Sequence, residues 1–183
     1  MEKIKRGAKN AGFQDVAFEN MMSSVGWRRN DEWCMFYCKA VYMQFYSFDR
    51  EFLKTNFSGG TIWTPSNIEN LNKAGNKRYV FIRENSPQIG DILILRQRSN
   101  AGGHAGIVTE VLSNTKVRTI EGNTSLAKVR NGQGVFELER TLEVGKYSSG
   151  NSGMYFVGYI RRNFTQDELD RLYYDKISLK MKD

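Results

Sequence analysis

Two residue types that carry nucleophilic amide chemistry are scarce in this chain: there is one His, His104, and there are two Cys, Cys34 and Cys38, in 183 residues. A thiol with an ordinary pKa of about 8.5 is mostly protonated at neutral pH, so a nucleophilic Cys needs a field that favours the thiolate and a base to take its proton. Cys34 follows Asn30-Asp31-Glu32-Trp33. Asp31 reads as the N-cap of a helix and Glu32 as a match for its dipole, which puts Cys34 in the first turn, where free backbone N–H groups favour negative charge. Cys38 lies one turn deeper in an apolar segment and reads as a packing residue. Side chains at i and i+4 of one helix point in parallel directions, which disfavours a disulfide between the two. His104 sits in Gly102-Gly103-His104-Ala105-Gly106, whose small neighbours leave the imidazole uncrowded and allow a ligand or another backbone to approach. Taken singly, each residue also has a plain structural reading, as a buried Cys beside Trp and Phe and as a satisfied His at a strand start.

The third piece is Ile120-Glu121-Gly122-Asn123-Thr124. A hairpin of the runs 104–112 and 116–121, turning at Ser113-Asn114-Thr115, would bring either Glu121 or Asn123 back near His104. A polar acceptor there could hold one imidazole nitrogen and point the other at the thiol. On geometry alone, a Gly-Asn turn at a strand end is an equal reading.

The elements that must position these residues change period midway. From Ala8 to Val25, Phe13, Val16, Ala17, Met21 and Val25 follow three-to-four spacing, which predicts an amphipathic helix or two short ones broken near Gly12. Trp33 to Phe48 is apolar almost all round, the pattern of a buried central helix. Thr64-Pro65 reads as N-cap and first position of a short helix ending near Gly75. Then come short runs rich in Val, Ile, Tyr and Phe at 79–83, 91–96, 105–112, 116–121, 135–140 and 154–161, separated by Gly, Asn and Ser clusters. Helices first and strands afterwards predict an α+β fold, with N-terminal helices packed on a roughly six-stranded antiparallel sheet. Thr165 and Glu168 form a capping-box pattern that opens a C-terminal helix over 165–179.

Composition limits the alternatives. With 40% hydrophobic and 13% aromatic residues the chain can build a core, and its length fits one catalytic domain over 1–183. One His and two Cys are too few for an independent structural zinc site or a disulfide scaffold. No stretch is long and apolar enough for a membrane span, so no membrane insertion is expected. The first residues carry basic side chains but no apolar signal region, so synthesis in the cytoplasm is expected, with another machine delivering the protein if it acts outside. A net charge of +7 suits polyanionic surroundings: nucleic acid, anionic lipid or an anionic wall polymer. No helix-turn-helix, RNP or zinc-finger pattern points to nucleic acid, which is not expected as a partner.

Glu32-Trp33-Cys34, then Pro87-Gln88-Ile89-Gly90-Asp91-Ile92, then Gly103-His104-Ala105-Gly106-Ile107-Val108, then Ile120-Glu121-Gly122-Asn123 together resemble the CHAP family of cysteine- and histidine-dependent amidohydrolases and peptidases, over about 25–162. These are papain-like α+β domains related in layout to NlpC-type wall peptidases. The resemblance implies Cys34 as nucleophile, His104 as general base and then acid, Glu121 as orienter and Asn123 in support. It implies a peptidoglycan substrate, cut either at the N-acetylmuramoyl-L-alanine bond or within the peptide, by a monomer without a cofactor. It also implies a phage lysin released with a holin, a virion-associated enzyme, or an injected toxin with an immunity partner. Some relatives bind calcium through an acidic loop, but Asp31 and Glu32 alone do not supply the roughly six to eight oxygens such a site needs, so no metal is expected. Two other readings remain: a basic binding module on the same fold, and a thiol hydrolase that acts on a protein substrate.

Overall fold

Asp15 decides where the chain turns helical. Its carboxylate accepts hydrogen bonds from the N–H groups of Ala17 at 2.7 Å and Phe18 at 3.1 Å, satisfying donors that the first turn leaves open. Helix α1 therefore runs Val16–Ser24, well after the Ala8 start that the apolar spacing predicts. The computed structural model describes residues 10–97, 102–124, 134–142 and 153–170.

Asp31 does not cap the next helix, contrary to expectation. Its Oδ2 accepts from the Arg28 N–H and its carbonyl accepts from the Trp27 indole, both at 3.1 Å, so it closes the preceding turn instead. Helix α2 runs Cys34–Phe45, with Trp33 in the cap position and no side-chain cap. Its first N–H groups are left open at the turn that carries Cys34. The helix ends before Phe48, and a 3-10 turn at Ser47–Asp49 leads into α3, Arg50–Asn56. The sequence carries no clear signal for α3, because Asp49 in its cap position makes no cap bond. That carboxylate is buried and accepts from Arg162 Nε at 2.6 Å, the Tyr79 hydroxyl at 3.0 Å and Arg78 Nη1 at 3.2 Å, tying the helices to the sheet. Helix α4 is Trp63–Lys73, opening one residue before the expected cap. Thr64 Oγ1 accepts from the Ser58 N–H at 3.0 Å, and Pro65 follows in the first turn, where its missing N–H costs nothing.

Six strands follow: β1 Tyr79–Ile82, β2 Ile92–Gln97, β3 Gly103–Ser113, β4 Lys116–Thr124, β5 Gly134–Thr141 and β6 Met154–Arg162. They form one antiparallel sheet in the order β1-β6-β2-β3-β4-β5. The fold is α+β, as the change of period predicts. Of the expected C-terminal helix, residues 166–170 are helical, and the capping box is reciprocal: Thr165 N–H donates to Glu168 Oε2 at 2.9 Å and Glu168 N–H to Thr165 Oγ1 at 3.3 Å. The remainder of that predicted helix lies outside the described residues.

The main core lies between the helices and one face of the sheet, where α2 rests on β3 and β4. Trp33, Met35, Cys38, Tyr42 and Ile94 are among its buried members. A second cluster of Leu93, Leu95, Val108, Val117, Phe156 and Tyr159 covers the opposite face. That is why β2 reads as a continuous apolar run rather than an alternating one.

Of the close approaches that require glycine, two bear on the placement of α2 and Glu121. At Gly122 a Cβ would stand 2.5 Å from Trp33 Cζ3 and 2.7 Å from the Tyr37 Cβ, and at Gly106 it would stand 2.5 Å from Glu121 Cγ. Gly122 thus sets how near the start of α2 comes to β4. A Gly122→Ala substitution is expected to destabilise the protein by about 1–3 kcal/mol through overpacking. The fall in the denaturant midpoint measures it, and an unchanged midpoint would show that α2 can shift freely.

Candidate active site

The β3–β4 hairpin is anchored by the Ile107–Ile120 pair and turns at residues 114–115. His104 on β3 and Glu121 on β4 are thereby brought side by side, and the start of α2 lowers Cys34 onto them. His104 Nε2 lies 2.7 Å from Glu121 Oε2. An ionised carboxylate can only accept, so Nε2 is the donor and Nδ1 is the nitrogen left for a second partner. Cys34 is the other titratable group close enough to act on His104. Cys34, His104, Asn123 and Glu32 line one pocket of about 340 Å³.

Glu121 lies behind this pocket with no exposed surface. Its Oε1 accepts from Thr119 Oγ1 and from Arg140 Nε, each at 2.6 Å, and its Oε2 accepts from His104 and from Arg140 Nη2 at 2.5 Å. Burial alone would raise the pKa of this carboxylate, but His104 and the Arg140 guanidinium pull it down to about 2. Burial likewise works against a charged His104, and the neighbouring Glu121 and Cys34 overcome it, raising the imidazole to about 10. Burial pushes the Cys38 thiol well above its usual value, which fits a packing residue rather than a nucleophile.

Geometry separates the two acceptors that the sequence leaves open. Glu121 takes the imidazole, while the Asn123 amide donates to Glu32 Oε2 in a short contact. Asn123 holds a left-handed backbone at φ 55°, which Asn tolerates better than most residues because its short amide can bond locally. It therefore lines the pocket beside Cys34, and its side chain does not reach the imidazole.

The pocket has a wall that comes from the connection into α4: Gly59, Gly60, Thr61, Ile62 and Trp63. Within 57–65, a segment that is a candidate for substrate contact, residues 59–63 line this pocket, and the Trp63 side chain is exposed at its rim. Of the Gly- and Ser-rich stretch 147–153, another candidate for substrate contact, residues 147–152 lie outside the described residues.

Arg140 and Thr119 have no motif to announce them. One signal does exist: Thr119 and Glu121, two apart on β4, share a face, and a carboxylate on a buried face needs a cation. Asp31 is engaged in the turn before α2 and Glu32 with Asn123. Among the described residues no group of three or more His, Cys, Asp and Glu is placed to hold a metal. No helix among them is long and apolar enough to cross a membrane.

The family model for the CHAP domain matches residues 24–123, a span that contains Cys34, His104, Glu121 and Asn123. The chain belongs to the CHAP family of amidases and peptidases. No curated protein matches it.

The two shifted groups set a pH window for stability. The depressed Glu121 pKa contributes stability that is complete above 4.5 and is lost as pH falls through about 2. The raised His104 pKa contributes stability that is complete below 6.5 and is lost as pH rises through about 10. Thermal melts at fixed ionic strength should therefore show a plateau between pH 4.5 and 6.5 that declines on both sides. In Glu121→Gln both declines should flatten, and identical profiles would count against the pair.

Proposed function

We propose that this CHAP-family chain is a peptidoglycan hydrolase that cuts an amide bond, at the N-acetylmuramoyl-L-alanine junction or within the peptide, with Cys34 as nucleophile. The single observation that carries the reading is the 2.7 Å contact of His104 Nε2 with Glu121, which commits one ring nitrogen and leaves the other for the Cys34 thiol at an open pocket. The net charge of +7 suits an anionic wall.

In the first half-reaction the thiol proton resides on His104 and Cys34 Sγ attacks the amide carbonyl carbon. The carbonyl oxygen becomes an oxyanion and is held by the N–H of Cys34 at the uncapped start of α2. His104 then donates its proton to the leaving nitrogen, the C–N bond breaks, and the amine departs from a thioester. In the second half-reaction water attacks that thioester and gives its proton to His104. The C–S bond breaks, the carboxylic acid leaves, and the proton returns to the Cys34–His104 pair. Glu121 stays ionised throughout and holds the imidazolium. Asn123, locked to Glu32, shapes the wall next to the nucleophile. The cycle consumes water alone and calls for no cofactor. The whole of 1–183 serves as one catalytic unit working as a monomer, and a lysin that reaches the wall through a holin, a virion or a secretion system fits this chemistry.

Isolated cell walls provide the test. Release of soluble products by Cys34→Ala and by His104→Ala is expected to fall at least about 100-fold, while both variants remain folded. Either variant working at the wild-type rate would falsify the mechanism. Mass spectrometry of the products shows whether the new amine lies on the first residue of the stem peptide or further along. A protein substrate cut in place of wall would favour the other thiol-hydrolase reading.

Trp63 offers a second measurement. Its exposed ring at the pocket rim makes Trp63→Ala a change that should raise KM by about 10-fold, a buried-contact loss of roughly 1.4 kcal/mol, with little effect on Tm. An unchanged KM would place the substrate on another wall.

A further inference from the structure

We infer that Arg140 is a positioning residue of this hydrolysis: its guanidinium fork holds Glu121 in one orientation and one charge state, and through Glu121 it fixes the ring of His104. The inference rests on the reading of Cys34 and His104 given above, and it adds a residue from β5, outside the 24–123 match.

The two oxygens of a carboxylate offer about four lone-pair sites, and Glu121 has four donors on them: Arg140 Nε and Thr119 Oγ1 on Oε1, and Arg140 Nη2 and His104 Nε2 on Oε2. A proton could enter either oxygen only by displacing one of these donors. The fork spans both oxygens, so the carboxylate cannot rotate without breaking two charge-assisted bonds.

The charge state matters because of where it sends the ring proton. A protonated Glu121 would offer Nε2 a donor in place of an acceptor. Nε2 would then accept, and Nδ1 would carry the ring proton, closed to the proton of the thiol. Full burial pushes any carboxylate toward that neutral form. The charged and titratable groups facing Glu121 are His104 from β3, Arg140 from β5 and the Cys38 thiol from α2. Arg140 is the one permanent cation among them, and it is itself buried. Its register partner on β4 is Val117, so the side chain runs along the strand to reach Glu121 rather than simply meeting its neighbour.

A purely structural tie between β4 and β5 would predict a change in stability alone. The sole imidazole of the chain supplies a readout that such a tie would not move, since an untagged protein gives one set of ring-nitrogen signals. In Arg140→Met, the acid-side inflection of those signals and the acid limb of kcat/KM should both move up by about one pH unit or more. In Arg140→Lys the charge remains but the fork is lost. There the acid limb should stay at its wild-type position while kcat falls at least about 10-fold. Wild-type ring signals and wild-type pH profiles in both variants, with only a lower Tm, would overturn the inference. Should Arg140→Met fail to fold, Arg140→Lys decides, and a wild-type kcat in it overturns the inference. The ring signals can also be followed in a Cys34→Ala background, which has no turnover. The clamp is thereby tested separately from the hydrolase reading, which stands or falls on Cys34→Ala activity.

Discussion

A carboxylate with no exposed surface must be surrounded by donors, and Glu121 draws them from three neighbouring strands: His104 on β3, Thr119 on β4 and Arg140 on β5. Much of the local architecture answers to that requirement. β3 gives up a side chain at Gly106 so that the Glu121 stem can pass. β5 turns an arginine inward. On the helix side, Gly122 lets Trp33 and Tyr37 press against β4, which brings the start of α2 down over the pair. Removing two charges from water is costly, and their attraction repays it only with good geometry and full satisfaction of the remaining sites. Glu121 meets that condition at every lone pair, so the cluster is better understood as a device for holding one arrangement than as a source of net stability.

The division of labour along α2 follows from depth. Cys34 is at the first helical position, on the pocket, and in contact with His104. Cys38 is one turn further, wholly enclosed, and held neutral by burial. Two thiols four residues apart thus differ in surroundings, because one stands at a helix end on the pocket and the other inside a core. The turn before α2 contributes by spending Asp31 on Arg28 and Trp27, so that Asp31 does not cap the N–H groups beside Cys34.

Local pattern carried most of the fold. The switch from three-to-four spacing to short β-branched runs after Gly75 marks the boundary between helices and sheet, and the observed strands overlie the predicted ones, with β4 continuing past Glu121 to Thr124. The return of a polar acceptor to His104 was legible as well, because a hairpin's register follows from its turn, but the choice of Glu121 over Asn123 came only with the side-chain contacts. Three further features left no local sign. The start of α1 depended on a cap at Asp15 that competed with a longer apolar stripe. Helix α3 was hidden because the buried ion pair of Asp49 with Arg162 is a long-range contact without a local trace. The clamp from Arg140 was hidden for the same reason: a charged residue near a strand end reads as solvent-facing until the strand's partner and facing are known. Sequence spacing reports what neighbours along the chain share, whereas the support behind His104 comes from strand pairing across the sheet.

The strand order carries a consequence for the timing of activity. β6, the last of the described strands, lies between β1 and β2, two strands that precede it by most of the fold. The hairpin that bears His104 and Glu121 is local and can close early, but β2, which braces β3 through the pairs Leu95–His104 and Ile94–Ala105, has an unfilled edge until residues 154–162 arrive. Pairings of such sequence separation form late. A chain still emerging from the ribosome would thus hold Cys34, His104 and Glu121 already synthesised on an unfinished sheet. The sheet behind these residues would then be completed in one step, when β6 inserts.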